Sequence, residues 1–162
     1  MSDMLVRLYD LPEARPHLER AAAAGFTLRR ADPWDRERVR EFIGANFGER
    51  WSAEADLAFV HTPITAFLAL KTGEIVGFAV YEVVRRGFFG PTGVHEHHRS
   101  LGLGAALLYC CLDSMREMGY GYAIIGGVGP AEFYEEVCGA FVIPDSEIGV
   151  YGSLGEVMRR RA

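Results

Sequence analysis

Cysteine is scarce in this 162-residue sequence: Cys110, Cys111 and Cys138 are all there is. Three thiols so placed exclude a disulfide framework or a zinc site built on cysteine. Cys110 and Cys111 are adjacent within an apolar helical pattern and read as buried free thiols, so the expected setting is reducing and cytoplasmic. Long apolar runs are also missing. Gly, Arg or Glu breaks every such stretch before the ~20 residues a membrane span needs, and no membrane partner is expected. The opening Met1-Ser2-Asp3-Met4 has no basic segment followed by an apolar one, as a secretory signal would. An excess of positive charge is lacking too: 17 Lys and Arg against 22 Asp and Glu leave a net charge of -5, which argues against a nucleic-acid partner. The short basic run Arg159-Arg160-Arg161 reads as a solvated tail. With no internal repeat, low-complexity tract or long linker, the chain has the size of one ordinary domain. It can bury a sizeable core without disulfide or metal staples.

What is present is a sequence of alternating elements. Residues 4–9 are apolar and extended in character. Pro12 opens a helical stretch that Gly25 ends, and 26–30 reads as a second strand. Asp32-Pro33 supplies an N-cap with proline at the first helical position, and a helix follows to about Asn46. A further short helix is expected to start at Ser52, capped by that serine. Residues 65–70 and 75–83, rich in β-branched and aromatic side chains, form a hairpin around Lys71-Thr72-Gly73-Glu74. Another strand covers 87–94. Leu103, Leu107, Leu108, Cys111, Leu112 and Met115 recur at three- and four-residue spacing, the stripe of an amphipathic helix that Gly119 ends. A short buried strand at 122–125, a helix from Pro130, and late strands at 141–143 and 148–151 complete the pattern. Strands first, then strand–helix–strand–helix–strand, predicts a mixed α/β (α+β) sheet flanked by helices.

The chemistry concentrates between the strand ending at Val94 and the helix after it, in Arg99-Ser100-Leu101-Gly102-Leu103-Gly104-Ala105. Glycines 102 and 104 remove side chains where a ligand would approach the backbone. The first helical amides have no intrahelical partner, and the helix dipole adds partial positive charge. Together with Arg99 they suit a phosphate or pyrophosphate. Gly-x-Gly alone serves close helix–strand packing equally well. A dinucleotide site would need a third glycine, where Leu107 stands, and an acidic residue at the end of the 122–127 segment, which has none. No Gly-Lys-Ser/Thr follows, so a Walker loop is excluded as well.

Val94, Arg99, Gly102, Gly104 and the following Ala105-Ala106-Leu107-Leu108 resemble, in identity and spacing, the acetyl-CoA-binding motif of the GNAT superfamily of N-acetyltransferases. The order of strands and helices from about Phe26 to Phe141 is similar as well. The resemblance implies a GNAT fold over residues 26–162, with residues 1–25 as a strand–helix extension packed on it. Its central sheet would splay between the strands ending at Val94 and Gly126. It implies acetyl-CoA as co-substrate and no metal. Amides of Ser100, Leu101, Gly102, Leu103, Gly104 and Ala105 would hold the pyrophosphate. Thr92, Gly93 and Val94 would pair with the pantetheine arm. Tyr134 stands where the family often has the tyrosine that protonates the departing thiolate, and a phenol of pKa ~10 suits that task. Ser100 replaces the family's usual glycine and Glu96 a frequent proline; backbone contacts tolerate both. Residues 126–130 replace a segment that often carries asparagine, and 135–140 is one residue longer than usual.

An amine must lose a proton to be acetylated. Glu82, late in its strand, is the first candidate base, and Glu54, Asp56 and His61 are alternatives. His95, His97 and His98 lack the companions a metal site needs; they are expected to line the coenzyme's phosphate side or to face solvent. Trp34 and Trp51 are core residues by default, although Trp51 could wall the acceptor site. The segment 120–127, with Phe133-Tyr134, is similar to GNAT proteins that acetylate amino sugars such as glucosamine. The expected partner is therefore a small-molecule amine. A peptide or protein amine as acceptor, or a non-catalytic acyl-CoA-binding module, are the competing readings, the latter supported by residues 126–130. The extension is expected to cover the acceptor site or to form a homodimer contact.

Overall fold

In the computed structural model, which describes residues 1–152, the chain alternates strands and helices in the order β1 (Met4–Arg7), α1 (Arg15–Ala23), β2 (Thr27–Arg30), α2 (Arg36–Phe47), α3 (Glu49–Asp56), β3 (Ala66–Lys71), β4 (Glu74–Tyr81), β5 (Phe88–Val94), α4 (Leu103–Glu117), β6 (Tyr122–Ile125), α5 (Ala131–Cys138) and β7 (Phe141–Val142). The basic run at 159–161 lies outside the described residues. The strands form one mixed sheet in the order β2-β3-β4-β5-β6-β1-β7, with β5 and β6 parallel and the other neighbours antiparallel. Hairpin and amphipathic helix lie where the residue patterns place them. No helix among the described residues is long and apolar enough to cross a membrane.

Both faces of the sheet are covered, which explains the nearly continuous apolar run of β4. Ala79 and Tyr81 point to the side packed by α4, with Leu103, Leu107, Leu108, Cys111, Leu112 and Met115 buried there. Phe78 and Val80 point to the side packed by α2 and α3, against Val39, Ile43 and Ala55. The first 25 residues add a strand inside the sheet: β1 sits between β6 and β7, its Met4 opposite both Ile125 and Val142. Helix α1 lies on the α4 side, where His17 stacks on Tyr109 at 5.2 Å between ring centroids.

Three local expectations are corrected. Ser52 lies inside α3 rather than at its start; it is buried and its hydroxyl donates to the Arg40 carbonyl at 3.0 Å. Residues 148–151 form no strand, because the chain makes a 3-10 turn at Gly149–Tyr151. Trp34 is 84% exposed, carried outward in the 3-10 turn Pro33–Asp35 that precedes α2. That turn is fixed instead by a capping box between Asp32 and buried Asp35, and the Arg29 guanidinium grips Asp35 at 2.6 and 2.9 Å.

Candidate active site: a splayed sheet with a recess at each end

Strand β5 parts from β6 halfway along its length. The two pair only at Phe88↔Ile124 and Phe89↔Ile125. Beyond this, Thr92, Gly93 and Val94 keep their pairing with β4 alone, after a register shift between Ala79 and Tyr81. The cause is local: Pro91 has no N–H to give to a neighbouring strand, and the bulge bends β5 away. The edge of β5 that faces the gap is thus open to an extended ligand. Gly93 is required on the other side, since an added Cβ would lie 2.6 Å from the ring of Phe47. Thr92 turns its hydroxyl back onto the Phe78 carbonyl at 3.0 Å.

At the far end of β5 a groove of about 420 Å³ opens over the glycine loop. Val94, Arg99, Ser100, Gly102, Leu103, Gly104 and Ala105 all line it, so these predicted residues are brought together. Leu101 is exposed beside them. Gly102 caps α4 in the left-handed region at φ 82°. The first hydrogen bond of the helix runs from the Ala106 amide to the Gly102 carbonyl at 3.1 Å, which leaves the preceding amides without intrahelical partners. Ser100, at the position where glycine is usual, also has a positive φ of 66°. The Arg99 Nε donates to the Val94 carbonyl at 3.2 Å, folding the loop onto the end of β5.

The sequence reading missed the contribution of α1 here. Arg20 donates to the Ser100 carbonyl at 3.2 Å, and with His17 of α1 and Phe133 and Val137 of α5 it lines the groove. No local pattern marks an exposed arginine on α1 as a groove residue; only the packing of α1 on α4 reveals it. Two guanidinium groups and no carboxylate line the groove, so its electrostatics suit an anion. The three histidines stand apart from it. His98 packs edge-on against Phe26 at 5.6 Å, and His97 is exposed. Among the described residues no group of three or more His, Cys, Asp and Glu side chains is arranged to hold a metal ion.

At the other mouth of the splay lies a cleft of about 270 Å³. Phe89, Gly90 and Pro91 form one wall, Gly126 and Gly127 another, and Trp51 with Glu54 a third. Trp51 is 37% exposed and stacks on Phe47 at 5.7 Å, so it is a wall residue rather than a core one. Glu54 is half-buried and accepts from Arg50 Nε at 3.0 Å. Of the other carboxylates, Asp56 accepts from Nε and Nη2 of Arg36 at 2.8 and 2.7 Å, which holds its pKa below the usual range. His61 faces a separate surface depression with Asp32 and Arg36. Glu82 does not line the cleft. It sits in the β4–β5 connection with φ 65°, and its carboxylate accepts from the Gly87 amide and from the Tyr120 hydroxyl, the latter at 3.0 Å.

Tyr134 lies at the vertex where the strands part. Its ring meets Phe89, the last paired residue of β5, edge-on at 6.4 Å. The residue is buried, at 7% exposure. Burial, with a smaller contribution from Cys138, pushes its pKa up to about 12. At neutral pH it is therefore a protonated phenol, able to give a proton and reluctant to lose one without an acceptor close by.

Comparison with known proteins places this architecture. The family model described as Acetyltransferase (GNAT) family matches residues 20–140. No curated protein matches the sequence. Among solved structures, a GCN5-related glucosamine N-acetyltransferase region of a fungal multi-domain β-N-acetylglucosaminidase aligns with a TM-score of 0.73 and 14% identity, covering 88% of this chain and 19% of that one. A GCN5-related N-acetyltransferase from Sphaerobacter thermophilus aligns at 0.68 and 24%, covering 88% and 48%. A GNAT family acetyltransferase from Brucella melitensis, in complex with acetyl-CoA, aligns at 0.55 and 16%, covering 75% and 90%. The chain thus spans about a fifth and about half of the first two. At these identities the likeness is one of fold.

Proposed function

Because this chain belongs to the acetyltransferase (GNAT) family, we propose that it moves an acetyl group from acetyl-CoA to a primary amine by direct attack in a ternary complex, with an amino sugar such as glucosamine as acceptor. The observation that carries this reading is the pair of recesses at opposite mouths of one splay, with Tyr134 at the vertex near the β5–β6 junction.

The groove fits the donor. Unpaired amides from Ser100 to Ala105 bind its pyrophosphate, Arg99 and Arg20 balance the charge, and the open edge of β5 receives the pantetheine amides as a neighbouring strand would. The acceptor enters from the Trp51–Glu54 side and its neutral nitrogen attacks the thioester carbon. As the carbon–sulfur bond breaks, Tyr134 gives its proton to the sulfur. A carboxylate takes the proton leaving the nitrogen. Glu54 lines the cleft and is better placed for this than Glu82, whose oxygens are held by Gly87 and Tyr120. A flat indole face beside the Arg50–Glu54 ion pair, in a cleft of about 270 Å³, suits a compact ring bearing hydroxyl and ammonium groups.

The test is release of coenzyme A thiol from acetyl-CoA across amino sugars, amino acids, polyamines and peptides, glucosamine first. Turnover with an amino sugar is expected. Turnover confined to peptides would replace the acceptor class. Tight acetyl-CoA binding without thiol release from any amine would make the chain a non-catalytic acyl-CoA-binding module.

A further inference from the structure

We infer that Asp3 is the positioning residue that sets the glycine wall of the acceptor cleft, an inference that rests on the acetyl-transfer reading of that cleft. Two of its walls are irregular backbone: Gly126 and Gly127 after β6, and Glu147 and Ile148 in the segment beyond β7. Neither belongs to a helix or strand, and Gly126 and Gly127 carry no side chain that could anchor them. Something else must hold them at the distance an acceptor requires.

Asp3, only 6% exposed, lies where the two segments meet. Its Oδ1 accepts the Gly127 amide at 2.8 Å. Its own amide donates to the Ser146 hydroxyl at 2.8 Å, and that hydroxyl donates to the Ile143 carbonyl at 2.6 Å. The Asp3 carbonyl in turn accepts the Ile143 amide at 2.8 Å. Oδ2 abuts Gly149, where an added Cβ would lie 2.8 Å away. One residue thus ties β1 to both irregular walls, and the adjacent Val128 amide donates to the Ser2 carbonyl at 3.0 Å.

The chemistry of this knot is unusual for a purely stabilising device. Among the described residues no Lys, Arg or His lies in ion-pair range of the buried carboxylate, and burying a charge without a counter-ion is costly. An apolar side chain in its place would leave the Gly127 amide without this acceptor. What a carboxylate in this place does supply is a short acceptor for an amide of the Gly126–Gly127 wall. It thereby fixes where that wall stands relative to Trp51 and Glu54 across the cleft. Asp3 does not itself line the cleft; it acts through the backbone of Gly127.

The experiment compares wild type, Asp3→Ala and Asp3→Asn in steady-state kinetics with the best amine found for the wild type, alongside calorimetric acetyl-CoA binding. Asp3→Ala is expected to raise the acceptor KM roughly tenfold or more, since an error of about 1 Å in positioning can cost up to about 10²-fold. The acetyl-CoA Kd should stay within about twofold, because the donor groove lies at the other mouth of the splay. Asp3→Asn keeps an oxygen for the Gly127 amide and should return the acceptor KM to near wild type. An unchanged acceptor KM in folded Asp3→Ala, or parallel losses for acceptor and acetyl-CoA, overturns the inference. If Asp3→Ala does not fold, Ser146→Ala must raise the acceptor KM without altering acetyl-CoA binding, and no rise overturns it. Hydrogen exchange separates this from the functional reading. Asp3→Ala should speed exchange in residues 126–128 and 143–149 and leave 99–105 unchanged, whether or not any amine is acetylated; unaltered exchange there refutes the positioning role. Absence of turnover in the wild type with every amine counts against the acetyl-transfer reading alone.

Discussion

Replacing Tyr134 with phenylalanine deletes one oxygen at the vertex of the splay and leaves the ring against Phe89 and Phe133. The residue is 7% exposed, and its hydroxyl is not a sealed, unpartnered polar atom, so its loss leaves the packing of the ring in place. Stability at pH 7 should hold to within about 1 kcal/mol. Turnover should behave oppositely. A positioned general acid contributes about 10²- to 10⁴-fold, or roughly 3–5 kcal/mol of barrier. We expect kcat to fall by at least about 10²-fold with an unchanged acetyl-CoA Kd. Alkali gives an independent check of the environment. Burial raises the folded pKa from 10.0 to about 12, so the folded state resists ionisation that the unfolded chain accepts. Stability is therefore full below pH 10 and falls as pH rises towards 12. At pH 11 the Tyr134 share of this loss is about 1.4 kcal/mol, and Tyr134→Phe should escape it. Urea unfolding of both proteins at pH 8 and pH 11, with thiol release at pH 7.5, measures all three quantities. Turnover retained within about threefold would place the acid elsewhere. Equal alkaline losses in both proteins would refute the buried phenol.

Three further outcomes follow from other contacts. Arg20→Ala should raise the KM for acetyl-CoA roughly tenfold without changing kcat, since a charge-assisted contact to phosphate is lost; the defect should shrink with added salt, and steady-state kinetics at two ionic strengths checks it. Ser100→Gly relieves a left-handed non-glycine residue, worth about 1–2 kcal/mol, against about 0.5–1 kcal/mol of added backbone entropy in the unfolded chain. Near-unchanged stability and retained acetyl-CoA affinity are expected by denaturation and calorimetry, and a large loss of affinity would make the serine side chain a ligand. Asp35→Asn should cost about 1–3 kcal/mol by removing a buried acceptor from Arg29 and the Asp32 amide. The Arg29 guanidinium lowers the Asp35 pKa below 3.8, so this stabilisation is present above that value and lost as pH falls through the lower folded pKa. Acid unfolding curves should converge for wild type and variant.

Local signals in the sequence reached the glycine loop and stopped there. The apolar stripe of α4, the Thr72-Gly73 hairpin and the loop from Arg99 to Gly104 depend on neighbours a few residues apart, and each lies as its residues suggest. Ser52 misled because serine favours helix starts; here tertiary packing lets its hydroxyl serve the carbonyl of Arg40 instead. Trp34 misled because apolar bulk implies burial only on average. The place of β1 between β6 and β7, the approach of Arg20 to Ser100 and the knot at Asp3 join residues 80 or more positions apart. No periodicity or spacing records such pairings. The cleft beside Trp51 has the same character: Trp51, Phe89 and Gly127 come from three separate parts of the chain and meet only once the sheet has formed.

The proposed function stands on acetyl-CoA binding by the loop from Ser100 to Ala105 and the open edge of β5. It is tested most directly by titrating acetyl-CoA into the isotope-labelled protein and following backbone amide resonances. Saturable shifts concentrated at Ser100, Gly102, Leu103, Gly104 and Ala105, and at Thr92, Gly93 and Val94, are the predicted result. Absence of saturable binding, or shifts that spare both segments, would contradict it.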